Sequence, residues 1–241
     1  MEVIVKDLYK SFNGNNVLKG LNIKIEKGKT TAIIGSSGMG KTVLLRHIAG
    51  LMKPDKGSII VEGLEITNLS EKKLNALRKK MGMVFQTGGL FGALNVEDNM
   101  TMALRESRKY SESQMKKIIK EKLALVGLAG TELLMPSQLS GGMKKRLAVA
   151  RALTFNPQII LWDEPTMALD PILSDNVDDI IIQMKNEFHI TQVVVTHDMI
   201  CTEKTADYVG MIYDGIIIQF GTVQDLKNSN KEIVKRFISR R

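Results

Sequence analysis

Gly35-Ser36-Ser37-Gly38-Met39-Gly40-Lys41-Thr42 is a complete G-x-x-x-x-G-K-[ST] run, the spacing of a loop that holds a chain of phosphates. Glycines at 35, 38 and 40 let the backbone turn tightly enough for successive N–H groups to face one anion. A helix starting near Lys41 adds the positive end of its dipole. Lys41 is placed to neutralise the β- and γ-phosphates of a nucleoside triphosphate, and the Thr42 hydroxyl to complete a Mg²⁺ shell. A second chemical group lies downstream: Ile159-Ile160-Leu161-Trp162 ends in Asp163-Glu164. An apolar strand here delivers two carboxylates to its C-terminal edge, where open α/β sheets bind ligands. Neighbours in a strand point to opposite sides. Asp163 then serves the metal, and Glu164, at the strand's end, turns to a water aligned on the γ-phosphate as general base.

These groups need elements to position them. Thr30 to Ile34 reads as the buried strand before the loop, and Lys41 to about Ala49 as the helix after it, stopped by Gly50. Leu21, Ile23 and Ile25 alternate as one face of an antiparallel strand, and Ser58 to Val61 followed by Glu62-Gly63 reads as strand and turn. From about Asn95 to Ser137 the chain is helical in character, with Ser111 and Gln114 forming a capping box. Met115, Ile118, Ile119, Leu123 and Val126 share one face of that helix, which ends at Gly127. A helix from about Ser174 to Phe188, a strand from Gln192 to Val195, and a hairpin around Asp214-Gly215 complete the pattern. Strands alternating with helices predict a mainly parallel core sheet, and the leading alternation an added antiparallel β subdomain.

Composition limits the rest. The chain has 241 residues with 44% hydrophobic and 25% charged, ordinary globular values that exclude a disordered or fibrous protein. No apolar run approaches the ~18 residues of a membrane span. The start has no basic and apolar leader pattern, and the lone Cys201 fits a reducing compartment. The net charge of +8 is gathered in short groups: Lys72-Lys73, Arg78-Lys79-Lys80, Lys116-Lys117, Lys144-Lys145-Arg146 and Arg240-Arg241. They read as solvated helix faces or as a surface for an anionic partner. Aromatics, at 5%, do not interleave with them, so no nucleic-acid partner is expected.

Leu139-Ser140-Gly141-Gly142-Met143, together with the phosphate loop, the Asp163-Glu164 strand and His197 after a buried strand, resembles the nucleotide-binding subunit of ATP-binding cassette (ABC) transporters. The resemblance runs from Val3 to the last helix. It implies the P-loop NTPase cassette fold as one domain over residues 1–241, with a helical subdomain at about 95–153 inserted in the core. It implies ATP hydrolysis with Mg²⁺ and a homodimer in which Ser140, Gly141 and Gly142 close over the γ-phosphate held by the other copy. Phe12 matches the aromatic that stacks on adenine, with Val17 beside it, though an ordinary packed aromatic fits Phe12 equally. Gln86 matches the glutamine that touches Mg²⁺ or the attacking water, Asp170 in Ala168-Leu169-Asp170 the residue that crosses the dimer axis, and His197 the switch histidine on the γ-phosphate. His47 and His189 lack such a context. Met39, Val43 and Met143 depart from the pattern. Val43, where a hydroxyl is frequent, costs ATP affinity about 1 kcal/mol if nothing compensates.

Gln86-Thr87-Gly88-Gly89-Leu90-Phe91 with Leu94-Asn95-Val96-Glu97-Asp98-Asn99, and Met135 to Arg146, resemble the Mla-type (Mce-associated) phospholipid transporters. That implies a motor on the cytoplasmic face of the inner membrane, bound to a permease, with an Mce-type lipid-binding accessory protein. Leu90, Phe91, Leu94 and Met100 read as the groove for a permease helix or as plain core. The alternatives are the ATPase of a small-solute, amino-acid-type importer, and a non-transport ABC ATPase acting on nucleic acid or ribosomes.

Overall fold

The computed structural model describes residues 1–239, so the Arg240-Arg241 pair lies outside the described residues. In chain order the first elements are β1 (Val3–Phe12), β2 (Asn15–Ile25), β3 (Thr30–Ile34), α1 (Lys41–Ile48), β4 (Lys56–Val61), β5 (Leu64–Glu65), α2 (Glu71–Arg78) and β6 (Met81–Val84). Then come α3 (Val96–Ser107), α4 (Glu112–Leu125), α5 (Gly141–Ala152), β7 (Ile159–Asp163), α6 (Pro171–Asn186), β8 (Thr191–Thr196) and α7 (Met199–Thr205). The chain closes with β9 (Tyr208–Tyr213), β10 (Ile216–Gly221), α8 (Val223–Lys227) and α9 (Glu232–Ile238).

Two sheets result. The antiparallel one runs β2-β1-β4-β5, and its register pairs Val3 with Ile25, Val5 with Ile23 and Leu8 with Leu21. All six side chains are buried: alternation puts Val3 and Val5, and Leu21, Ile23 and Ile25, on one face of the pleat, and an irregularity at Asp7, with φ of 45°, returns Leu8 to that face. The larger sheet runs β10-β9-β3-β8-β7-β6, parallel from β9 to β6 with β10 antiparallel at one edge. Its central strands β3, β7 and β8 are buried along their whole length, as parallel strands covered on both faces must be. The expected α/β class, with a mainly parallel core and an antiparallel part, is therefore observed. The strand order matters for function. β3, β8 and β7 are neighbours, so the loops leaving their C-terminal ends emerge side by side.

Helices α3, α4 and α5 bury Met100, Leu104, Met115, Ile119, Leu123 and Leu147 in one cluster that continues to Trp162 of β7. The capping box at Ser111 and Gln114 forms as expected. Two local expectations need correction and one open pair of readings is decided. The stretch 95–137 is two helices with a break, because Arg108 sits in the left-handed region and ends α3; between Gly127 and α5 the helical structure is one 3₁₀ turn at Pro136–Gln138. The helix expected from Ser174 begins at Pro171, where Asp170 accepts the Leu173 N–H at 2.9 Å and proline supplies a ready-made first turn. Of the residues that could line a groove or fill the core, Met100 is fully buried in the core, whereas Phe91 is 48% exposed.

Candidate functional site

The loop between β3 and α1 turns through three glycines of positive φ, Gly35 at 151°, Gly38 at 80° and Gly40 at 94°. A Cβ at Gly35 would lie 2.5 Å from the Ile212 carbonyl oxygen, and one at Gly40 2.9 Å from Leu18 Cδ2. Neither position admits a side chain. Gly40 is the N-cap of α1 and contributes no side-chain acceptor, so the helix's first N–H groups face the loop, the arrangement that binds anions. Lys41, 6% exposed, folds back over this loop and donates to the carbonyls of Gly35 at 2.7 Å and Ser36 at 3.2 Å.

Two carboxylates meet the loop from β7. Asp163 Oδ1 accepts the Thr42 hydroxyl at 2.8 Å. Burial holds the Asp163 carboxyl above its usual range, opposed by the Thr42 bond. Glu164 has a φ of 48°, a left-handed backbone rare outside glycine. That turn ends the strand and brings Glu164 round to the same side as Asp163. Its Oε1 lies 3.4 Å from the Lys41 ammonium, and its Oε2 is 2.9 Å from His197 Nδ1. The His197 backbone N–H also donates to Oε2, at 3.2 Å. Loops from β3, β7 and β8 thus deliver Lys41, Glu164 and His197 into one chain of contacts.

A hydroxyl bonded to a carboxylate is the hard-oxygen donor set that Mg²⁺ takes, with waters and phosphate oxygens completing the shell. Among the described residues no group of three or more His, Cys, Asp or Glu could hold a metal by itself, so Thr42 and Asp163 fit an ion that arrives with a nucleotide. Ser36, Ser37, Thr166, Met167 and His197 line a cleft of about 710 Å³ beside this cluster.

Other expected residues are distributed as follows. Val17 is half-buried, and its Cγ1 would lie 3.2 Å from a Cβ on Gly40, so it adjoins the loop. Phe12 is 39% exposed with the Lys10 ammonium 5.6 Å from its ring centroid. Met39 and Val43 pack against the apolar cluster under α1, which gives these two departures a packing role. The Gln86 amide donates to Met167 Sδ at 2.9 Å rather than engaging Thr42 or Asp163. Ser140 caps α5 by accepting the Met143 N–H at 3.2 Å. A Cβ on Gly142 would meet Leu173 Cδ2 at 2.6 Å, and one on Gly141 Leu169 Cδ2 at 3.9 Å, so Ser140–Gly142 and the 168–170 turn share one surface. No hydrogen bond among the described residues joins Ser140, Gly141 or Gly142 to residues 35–43.

Sequence reading missed two residues. Met167 holds the Gln86 amide, and Lys145 donates to the Gln86 carbonyl. Lys145 lies in a basic group expected to be solvated, yet it is 8% exposed. Its place three residues after buried Gly142 and three before buried Ala148 was the available signal.

The ABC transporter family profile matches residues 18–167. The chain is 39% identical over 234 residues to the intermembrane phospholipid transport system ATP-binding protein MlaF of Haemophilus influenzae, covering 97% of this chain and 89% of that protein. It is 38% identical over 241 residues to the probable ribonucleotide transport ATP-binding protein mkl of Mycobacterium tuberculosis, covering 100% of this chain and 67% of that one. A dimeric structure of the ATP-binding cassette MJ0796, in a post-hydrolysis state bound to ADP and Pi, superposes with a TM-score of 0.85 at 30% identity, covering 92% of this chain and 98% of that chain. With its phosphate loop, paired carboxylates and histidine converging on one edge of a parallel sheet, the chain belongs to the ABC transporter family as an ATP-binding, ATP-hydrolysing subunit.

Proposed function

We propose that two copies of this chain close head to tail over two ATP molecules and that hydrolysis reopens them, driving a separate membrane permease. The observation that carries the reading is the run of contacts from Lys41 through Glu164 to His197, none longer than 3.4 Å. Residues 35–43 hold the phosphates, and Phe12 and Val17 flank the adenine. Thr42 and Asp163 would hold Mg²⁺, with the Gln86 side-chain oxygen joining them once its amide leaves Met167, and the ion would supply charge neutralisation at the phosphate oxygens. Lys41 releases Glu164 to pair with the γ-phosphate. Glu164 then takes a proton from the attacking water while His197 fixes its Oε2 and faces the phosphate, giving ADP and phosphate. Ser140, Gly141, Gly142 and Asp170 of the second copy complete the site. Support for that sharing comes from the exposed position of Ser140, which has no bond to its own phosphate loop, and from the dimeric state named for the structural neighbour.

The domain reading fits this scheme: a single cassette over residues 1–241, with the helices at about 95–153 as a subdomain set into the core. No described helix is long and apolar enough to cross a membrane. In this reading the chain sits on the cytoplasmic face of the inner membrane, held there by the permease. Phospholipid is the cargo this reading favours, with an Mce-type protein as accessory, on likeness to MlaF. A second reading, a methionine importer, rests on 39% identity over 239 residues to MetN 2 of Lactiplantibacillus plantarum. Reconstitution with its permease separates them: phospholipid stimulates ATP hydrolysis in the first case and methionine in the second. The sandwich itself is tested by Ser140→Arg in one protomer of a mixed dimer. The site on the opposite phosphate loop should fail; failure confined to its own site refutes the arrangement.

A further inference from the structure

Helix α5 carries two cations that the ATP chemistry does not use, Lys145 buried and Arg151 half-buried. Lys145 donates its ammonium to the Gln86 carbonyl. Arg151, one and a half turns further on, donates to the Gly88 carbonyl at 2.9 Å and the Gly89 carbonyl at 2.6 Å. Among the described residues neither has a salt-bridge partner within 4.0 Å, and burial pushes both groups below their ordinary pKa range. Bonds to neutral carbonyls offset little of the cost of taking a cation from water, and for Lys145 the charges of Asp163 and Glu164 add a more distant attraction. The loop is shaped for it. Gly88 and Gly89 adopt φ of 77° and 58°, which turns their carbonyls toward α5, and a Cβ on Gly89 would lie 3.3 Å from Arg151 Nη2.

The same helix begins at Ser140. At 1.5 Å per residue it places Lys145 about 8 Å and Arg151 about 16 Å along one rigid rod from that end. We propose that Lys145 and Arg151 are positioning residues that fasten the Gln86–Gly89 loop to α5, so that a shift of Ser140 on the second copy's nucleotide is carried to Gln86 and to the exposed Phe91 beyond it. This inference rests on the sandwich reading for its functional consequence, while the fastening itself does not.

Lys145→Met keeps the volume and removes the bond. In the nucleotide-free protein, hydrogen exchange at residues 86–90 should rise about tenfold with β3 and β7 unchanged; unchanged exchange at 86–90 overturns the fastening. In the ATPase assay kcat should fall about tenfold with the Kd for a fluorescent ATP analogue and the melting temperature unaltered. Combining it with Gln86→Ala should give no further loss, since both act through one side chain. A native kcat in Lys145→Met, or losses that multiply, overturns the positioning role. Arg151→Lys, which keeps the charge but not the fork, should give the same exchange pattern to a smaller degree. Should Ser140→Arg in a mixed dimer damage only its own site, the sandwich reading fails, and the exchange experiment still decides the fastening.

Discussion

Replacing Glu164 by glutamine isolates the proposed general base from every other function of that side chain. Glutamine keeps the volume, and its carbonyl oxygen still accepts the His197 N–H that Glu164 receives at 3.2 Å, so the turn at residue 164 is retained. It loses the negative charge 3.4 Å from Lys41. At an effective dielectric near 20 that pair carries about 5 kcal/mol of gross attraction, which the γ-phosphate must otherwise displace. ATP affinity should therefore hold or rise. An amide cannot take the water's proton, and a positioned base contributes about 10²–10⁴ in rate, or roughly 3–5 kcal/mol of barrier. Phosphate release under saturating Mg·ATP should fall by that factor, alongside equilibrium binding of a fluorescent ATP analogue. Turnover within about threefold of native would remove Glu164 from the chemistry, and loss of binding would contradict the geometry that opposes Lys41 to Glu164.

Lys41→Ala removes the ammonium that bonds to Gly35 and Ser36 and faces Glu164, and nucleotide binding in calorimetric titration should disappear; retained affinity contradicts the phosphate assignment. Asp178 is 1% exposed with Oδ1 unpartnered, and burial pushes its carboxyl up to about 6 from 3.8. The folded chain thus holds a proton that the unfolded chain has lost, so stability is full below pH 4 at this site and declines to about pH 6, by at most about 3 kcal/mol. Asp178→Asn should flatten that decline in thermal melts and raise the melting temperature at pH 8. A variant that melts lower at pH 8 with the same pH slope refutes the reading.

The chemistry was more legible than the architecture that holds it. The phosphate loop and the Asp163-Glu164 strand end could be read because each is a local run flanked by an apolar strand, whereas His197, a single residue after a strand, was identified only through the family resemblance; the parallel sheet sets the three side by side. The left-handed turn at Glu164 has no residue signal, since glutamate seldom adopts it, and it decides that both carboxylates reach one site. Helix α2 shows a single buried residue, Leu74, too little periodicity to detect. Lys145 was misread and Met100 left open for a common reason. A lysine beside two basic neighbours looks solvated and a methionine in a helical stretch fits a groove or a core, and only the packing of α5 and α3 assigns each to the interior.

Sedimentation of Glu164→Gln across a dilution series, with and without Mg·ATP, bears most directly on the shared site. The protein should run as a monomer without nucleotide and as a stable dimer with it, two ATP molecules per dimer, and a further Ser140→Arg change should abolish the shift. A particle that stays monomeric at saturating ATP, while native protein hydrolyses at a specific rate independent of its concentration, contradicts the account.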